Sequence, residues 1–230
     1  MGAPLNTHTA DRALRADAQR NRQRVVEAAR AVFSERGLEV PLEEIADRAG
    51  VGIATLYRRF PTREELVAAV FEVKFLEYAT TAEEALRSPD PWTGFCTYVE
   101  RICAMQAADR GFADVITMVL PTSETAKHLW ERGYQGTVEV IRRAQEAGVL
   151  RADFVPEDIV LILMANAGVV QVTRDAAPHA WRRLTAYVLE ACRADNSGPL
   201  PAAPTPAQTE RAMIDYAATK GLHSASRAED

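Results

Sequence analysis

Residues 45–65, with the sequence IADRAGVGIATLYRRFPTREE, constrain the fold of this chain more than any other stretch. Two short apolar-periodic segments flank a glycine turn at residues 50–52, and Pro61 stops the second segment soon after it begins. Two short helices joined by a tight glycine turn form a helix-turn-helix, whose second helix fits the major groove of DNA. The pattern therefore predicts a helix-turn-helix unit and favours a DNA-binding regulator.

The rest of the chain has the same helical character. Apolar residues recur at helical spacing, and no stretch alternates as a hairpin strand would. The predicted fold class is all-α, with a three-helix helix-turn-helix domain followed by a larger helical domain. Gly37 marks the end of the first helix, and Thr62 with Glu65 forms the sequence pattern of a capping box at the start of the fourth. The expected helices cover residues 17–36, 41–49, 53–60, 62–81, 92–109, 112–120, 123–147, 156–174 and 178–194.

Four regions follow from these helices and from the composition between them. We predict a flexible basic arm over 1–16, the helix-turn-helix domain with its connecting helix over 17–81, and the larger helical domain over 82–194. Residues 195–230 are rich in Pro and Ala and predict a flexible tail, in which 210–220 forms at most a short helix.

Charge is unevenly distributed along the chain. The formal net charge is −5, which on its own is unusual for a nucleic-acid binder. Residues 1–63 hold eleven Arg, no Lys and eight acidic residues, giving +3, whereas the remainder holds sixteen basic and twenty-four acidic residues, giving −8. The cations therefore coincide with the helix-turn-helix, and an acidic remainder limits nonspecific adhesion to DNA.

Several other classes of function find little support. The three cysteines have neither disulfide nor zinc spacing, the four histidines are scattered, and no catalytic signature or complete dinucleotide fingerprint is present. We therefore expect no metal site, no cofactor, no catalytic residues and no enzymatic activity. With no signal peptide, and with an apolar run over 159–170 that is too short to span a bilayer, we expect a cytoplasmic protein with no membrane partner.

Residues 24–70 resemble the TetR family of bacterial transcriptional regulators in order, spacing and residue types. The resemblance is carried by VF…RG over 32–37, LEEIA…AGV over 42–51 and TLYRRFPTREEL over 55–66. The details are similar to an actinobacterial branch, and the DPW start of the second domain at 90–92 is similar to the SbtR-like C-terminal type. The family pattern differs at Gly52, where many relatives carry Ser, and at Arg59, where many carry His.

The resemblance implies a homodimer that binds a palindromic double-stranded DNA operator, and repression that a small-molecule effector relieves. Burial of Leu56 and Phe60, one turn apart on the third helix, would turn the other residues of that helix outward. Arg58 is suited to guanine, Ile53 and Ala54 to a thymine methyl, and Thr55 to a base or phosphate. Phosphate contacts are expected from Tyr57, Arg59 and Arg63. Five further arginines lie ahead of or along the first helix and are expected either to follow the minor groove or to remain solvated: Arg12, Arg15, Arg20, Arg22 and Arg24.

The second domain is expected to hold the effector and to form the dimer. Bulky apolar side chains with a few polar groups are typical of a ligand pocket, although plain core packing explains any single one of them better. The candidate pocket residues are Phe95, Met105, Phe112, Met118, Trp130, Tyr134, Met164, Asn166 and Val170. The family's dimer interface implies that the last two helices contribute Leu161, Leu163, Ala165, Leu184, Tyr187 and Val188.

Two alternatives remain open from the residues alone. The chain could be a helical small-molecule-binding protein or enzyme that keeps the fold without binding an operator. Cys96 and Cys103, seven residues apart, are compatible with thiol sensing, although small buried hydrophobic residues explain them better.

Overall fold

The computed structural model describes residues 7–118, 124–196 and 198–219, with the backbone alone described at 7–16 and 117–118. Within these ranges the regular structure is helical apart from one isolated bridge between Leu150 and Arg193. The helices are α1 (Thr7–Arg36), α2 (Leu42–Ala49), α3 (Ile53–Arg59), α4 (Arg63–Leu86), α5 (Pro91–Ala108), α6 (Arg110–Met118), α7 (Glu124–Glu146), α8 (Pro156–Thr173), α9 (Ala180–Ala191) and α10 (Pro206–Thr219). The all-α fold class is confirmed.

Local signals explain several of the helix ends. Gly37 follows α1 with a φ of 80°, and the Thr62 side chain caps α4 by accepting a hydrogen bond from the Glu65 amide at 3.2 Å. Asp90 caps α5 in the same way, accepting from the Thr93 amide at 2.9 Å. Side-chain caps satisfy backbone donors that the first turn of a helix leaves free.

Three elements differ from the sequence-based expectation. Helix α1 begins at Thr7, so residues 7–16 continue the first helix, where a flexible basic arm was expected. Helix α4 continues to Leu86, about one turn and a half beyond the expected end. Residues 206–219 form a full helix, α10, whose Thr209, Met213 and Ala217 are buried against the second domain.

One continuous hydrophobic core joins the two domains. In the first domain α1 packs against α2, and in the second α4 packs along α5 and α7 while α5 also contacts α8 and α9. Helix α6 contacts α1, and Phe33, Phe71 and Phe112 stack between the domains with ring centroids 6.3 and 6.4 Å apart. The helix-turn-helix is therefore fixed to the second domain through α4 and through the contact of α1 with α6.

Helix α8 is the one described helix whose length and apolar composition would suffice to cross a bilayer, with a mean hydropathy of 1.2. Core helices of globular proteins have the same properties. Because only 33% of that stretch is buried within the chain, α8 also presents an apolar surface outward.

Candidate nucleic-acid interface and effector region

The turn between α2 and α3 depends on one glycine and one arginine. Gly50 has a φ of 63°, and its amide donates to the Asp47 carbonyl at 3.0 Å. A Cβ at this position would lie 2.7 Å from Nη2 of Arg24, the same atom that donates to the Ala49 carbonyl at 2.6 Å. A left-handed backbone favours glycine. Arg24 therefore links α1 to the turn through a hydrogen bond, and its side chain is not freely solvated.

Two buried side chains orient α3. Leu56 is 0% exposed and Phe60 is 2% exposed, as their one-turn spacing predicted. Because these two side chains point into the core, Ala54, Tyr57 and Arg58 point outward, with Tyr57 46% exposed. Helix α3 thus presents one definite outer face.

The outer face contains a polar and cationic group of side chains. Ile53, Thr55 and Arg59 are half-buried along its edges, and Nε of Arg59 finds no hydrogen-bond partner among the described residues. Arg22 lies over the Phe60 ring, with its guanidinium carbon 5.2 Å from the ring centroid, which adds a cation beside the end of α3. Gly52, the N-cap residue, has open space around it.

Arg63 has a structural role that the sequence did not indicate. Its Nη1 donates to the carbonyls of Leu38 at 2.6 Å and Val40 at 2.8 Å, and burial lowers the pKa of this guanidinium. The side chain therefore ties the start of α4 to the loop between α1 and α2. A phosphate contact by Arg63 remains a prediction, and it would come from a side chain that already donates to two carbonyls.

Three other cations of the first domain are paired with carboxylates. Arg36 pairs with Glu44, and Arg48 with Glu35 at 3.2 Å. Arg20 pairs with Asp17, while the side chains of Arg12 and Arg15 lie outside the described residues. Arg58, by contrast, makes no ion pair with any described residue, which leaves its charge available at the outer face of α3.

Among the described residues, the predicted pocket residues divide between the core and two separate cavities. Phe95, which packs edge-on against Phe154 with centroids 5.4 Å apart, belongs to the core, as do the buried Met105 and Phe112. The side chain of Met118 lies outside the described residues.

Two of the predicted aromatic residues, Trp130 and Tyr134, line a small cavity of about 40 Å³ between α4, α6, α7, α8 and α10. This volume holds roughly one water molecule. Beside it, the buried hydroxyls of Tyr78 and Thr137 lie 3.3 Å apart, and Tyr98 bonds to both. Burial raises the pKa of Tyr98 well above its usual value, so this phenol is neutral.

Asn166 is fully buried between α8 and α5. Its Nδ2 donates to Oε1 of Gln106 at 2.9 Å and to the Cys103 carbonyl at 3.2 Å. Asn166 Oδ1 and Gln106 Nε2 have no partner among the described residues. The sequence had indicated Asn166 as a polar group in an apolar helix, but Gln106, which shares the amide pair, was missed.

Met164 and Val170, the remaining predicted pocket residues, line a different and larger cleft of about 650 Å³. It is bounded by the end of α1, by α6, by α8 and by α10. This cleft was not predicted, because one of its walls is formed by α10, a helix in a segment that was expected to be a flexible tail.

The predicted dimer residues divide between the core and the surface. Leu161 is 45% exposed, Ala165 is exposed and Tyr187 is 63% exposed, whereas Leu184 and Val188 are half-buried. Leu163 is only 3% exposed and lines the small cavity, so it is a core residue of its own protomer. Leu163 was predicted to lie in the dimer interface, and its burial contradicts this. Because α8 is apolar around most of its circumference, its sequence does not show which side faces the core.

The three cysteines are free thiols. Burial raises the pKa of Cys96, Cys103 and Cys192 to about 11 in each case. Reactive sensor thiols have lowered pKa values, so these surroundings favour the structural interpretation. The described residues also contain no group of three or more His, Cys, Asp or Glu that could hold a metal ion.

The fold and the exposed face of α3 define a helix-turn-helix protein with a separate helical domain. The family model of the bacterial regulatory proteins of the TetR family matches residues 25–70. The model of the SbtR-like transcriptional regulator C-terminal domain matches residues 90–193. The chain belongs to the TetR family of DNA-binding transcriptional regulators, a family of regulators and not of enzymes.

Individual relatives agree with this assignment. An HTH-type transcriptional regulator of Staphylococcus aureus strain USA300 is 40% identical over 60 residues, which are 26% of this chain and about a third (32%) of that relative's length. A TetR regulator from Mycobacterium vanbaalenii is 32% identical, covering 78% of this chain and 99% of that chain, with a TM-score of 0.46. RolR in complex with resorcinol is 21% identical over 82% of this chain and 99% of that one, and its TM-score of 0.53 shows a shared fold.

Proposed function

We propose that this protein is a cytoplasmic, ligand-responsive repressor that binds a palindromic operator as a homodimer. The observation that supports this most is the outer face of α3, where buried Leu56 and Phe60 leave Arg58 unpaired and exposed. Membership of the TetR family supports the same proposal, because DNA binding by the helix-turn-helix is the family's activity.

The proposed contacts with DNA follow from the exposure of each side chain. Arg58 is placed to bond guanine, and Ala54 with Ile53 to meet a thymine methyl group. Thr55 contacts a base or phosphate at the edge of the helix. Tyr57 and Arg59 contact phosphates, which fix the register of the helix along the groove without reading sequence.

The proposed dimer interface is the exposed apolar surface of α8 and α9. Leu161, Ala165, Gly168 and Val172 follow one another at helical spacing on α8, and Val172 is 84% exposed. Exposed apolar surface of this kind is expected to be covered in the assembled protein. Two such helices from each protomer would form a four-helix interface about a two-fold axis, with Tyr187, Leu184 and Val188 contributed by α9.

Response to an effector requires a physical connection between the domains. Helix α4 provides one, because Arg63 at its start holds the loop before α2 and its remaining length packs on α5 and α7. RolR, which shares the fold, was solved with resorcinol, and this supports a small-molecule effector here. An effector that weakens operator binding by a given factor must itself be bound more weakly by that factor when operator is present.

Selection of bound fragments from the source genome tests the proposal. We expect recovered fragments to share a palindrome whose half-sites are separated by about one helical turn or a multiple of it. A protein that retains no fragment better than bulk DNA at moderate salt would refute the proposal. That result would favour the other candidate, a small-molecule-binding protein that keeps the fold alone.

A further inference from the structure

Helix α10 closes one side of the small cavity that lies beside the buried hydroxyls of Tyr78 and Thr137. The residue that α10 contributes to the cavity wall is Met213, which is 4% exposed. We propose that this cavity is the closed form of a binding site for a small, uncharged phenol, and that Met213 competes with this ligand for the space. Such a ligand would be the effector of the proposed function.

The cavity is too small for a phenol while α10 is docked. Its volume of about 40 Å³ holds roughly one water molecule, whereas an engineered apolar cavity that binds benzene measures about 150 Å³. Withdrawal of α10 would remove both the Met213 side chain and the backbone behind it, which opens one whole side of the cavity. The docked helix and the ligand therefore exclude each other.

The walls of the cavity favour an uncharged aromatic molecule. Trp130 and Tyr134 contribute aromatic surface from α7, α8 contributes aliphatic surface, and every described residue that lines the cavity is uncharged. Burial, and then the nearby carboxylates of Glu157 and Glu131, raise the pKa of Tyr134, so a negative charge is disfavoured here. A cation would lie in the cavity without a paired carboxylate among these lining residues, which is also costly.

The hydroxyl cluster selects a ligand that donates a hydrogen bond. Thr137 donates its one proton to the Gly133 carbonyl at 3.0 Å, so both tyrosine hydroxyls must donate to the Thr137 oxygen. The Tyr98 hydroxyl also lies 3.4 Å from that of Tyr78, but its proton is already used by the nearer Thr137. The oxygen of Tyr78 therefore keeps a free acceptor position. Because Tyr78 also lines the cavity, a ligand hydroxyl can donate to it.

Helix α10 is attached to the second domain by few contacts. Its buried side chains are Thr209, Met213 and Ala217, of which only Met213 is large. A helix of 14 residues is marginally stable alone, and a capping box supports its start. In this box the Thr205 amide donates to Gln208 Oε1 at 2.8 Å, and the Gln208 amide donates to Thr205 Oγ1 at 3.3 Å. An element with so few buried contacts opens at a low free-energy cost, so α10 can withdraw while the rest of the domain stays folded.

Release of α10 would reach the helix-turn-helix through α6. Helix α10 packs against α6, and α6 also contacts α1. Asp114 of α6 accepts a hydrogen bond from the Leu38 amide at 2.9 Å, and the Leu38 carbonyl accepts from Arg63. A ligand that releases α10 from α6 therefore acts on the loop that supports the helix-turn-helix. This consequence for the operator rests on the proposed function, whereas binding of the ligand does not.

The competing helix belongs to the C-terminal segment of this chain. It begins at Pro206, beyond residue 193, where the match to the SbtR-like domain ends. Competition by α10 is therefore a property of this chain that the matched domain does not imply.

Calorimetric titration of the full-length protein without DNA tests the site. The probe is phenol, with toluene as a control of similar size that cannot donate a hydrogen bond, and with benzoate and benzylammonium as charged controls. Met213→Ala removes the competing side chain, so this variant should bind one phenol per chain at least about ten-fold more tightly than the wild type. In Met213→Ala, phenol should bind about five-fold more tightly than toluene, because its hydroxyl donates to Tyr78. Both charged controls should bind more weakly than phenol.

Three further variants separate competition by α10 from other changes. Thr205→Ala lies outside the cavity and removes the cap of α10, so it should raise the affinity for phenol about five-fold by populating the withdrawn helix. Met105→Ala makes the same substitution at a buried position on α5 that does not line the cavity, and it should leave phenol binding unchanged. Tyr78→Phe, added to Met213→Ala, should abolish the preference for phenol over toluene.

Several results would overturn the proposal. These are unchanged phenol binding in either Met213→Ala or Thr205→Ala, equal affinity of Met213→Ala for phenol and toluene, and tighter binding of either charged control than of phenol. A gain in Met105→Ala as large as that in Met213→Ala would overturn it as well. A protein that binds no operator would leave these titrations unaffected, so failure of the proposed function is distinguishable from failure of the site.

Discussion

Replacing Arg63 with Ala should destabilise the protein, although a surface arginine next to the DNA face is usually replaceable. Arg63 Nη1 donates to two carbonyls, at 2.6 Å to Leu38 and 2.8 Å to Val40. A hydrogen bond from a charged donor contributes about 1.5–3 kcal/mol, and two that share one nitrogen add incompletely. We therefore expect Arg63→Ala to lower the free energy of unfolding by about 2–3 kcal/mol.

Thermal unfolding followed by circular dichroism measures this loss. For a chain of this length, about 2–4 °C of Tm corresponds to each kcal/mol, so the midpoint should fall by roughly 4–12 °C. Arg58→Ala is the matched control, since a solvent-exposed arginine should change stability by no more than about 0.5 kcal/mol. Arg63→Lys should lose less stability than Arg63→Ala, because the lysine side chain keeps a cationic donor at this position. Unfolding of Arg63→Ala within about a degree of the wild type would refute the structural role.

Two further predictions concern the second domain. The thiols of Cys96, Cys103 and Cys192 have pKa values of about 11, so in the native protein they should react slowly with a thiol reagent at pH 8. The labelling rate should rise about ten-fold per pH unit for as long as the protein stays folded. Rapid labelling of the native protein at pH 8 would contradict the burial of these thiols. Light scattering should show a wild-type mass of twice the 25.3 kDa of one chain. Val172→Asp places a charge on the proposed dimer face, so the mass of this variant should shift toward that of a single chain. An unchanged dimer in Val172→Asp would place the interface elsewhere.

The sequence predicted the first domain well because its signals are local. Gly37, Gly50 and Pro61 each stop or turn the chain through their own backbone preferences, and Thr62 caps α4 through its own side chain. The burial of Leu56 followed from helix periodicity alone. Such features depend on neighbouring residues, and a single sequence is sufficient to predict them.

Features that depend on distant contacts were predicted less well. Helix α8 is apolar around most of its circumference, so its period does not show that Leu161 faces outward while Leu163 faces inward. The docking of α10 rests on three side chains, of which only Met213 is large, and proline-rich flanks concealed it. Arg63 illustrates the same limit, because its partners are carbonyl groups more than twenty residues away.

The central claim is that Arg58 on α3 recognises an operator. Its most direct test compares wild type with Arg58→Ala for binding to the selected fragment over a range of salt concentrations, by fluorescence anisotropy. We expect wild-type affinity to fall linearly with salt on logarithmic axes, and Arg58→Ala to lose about 1–3 kcal/mol on the operator with much less loss on random DNA. Equal affinity of the two proteins for the operator would contradict the claim.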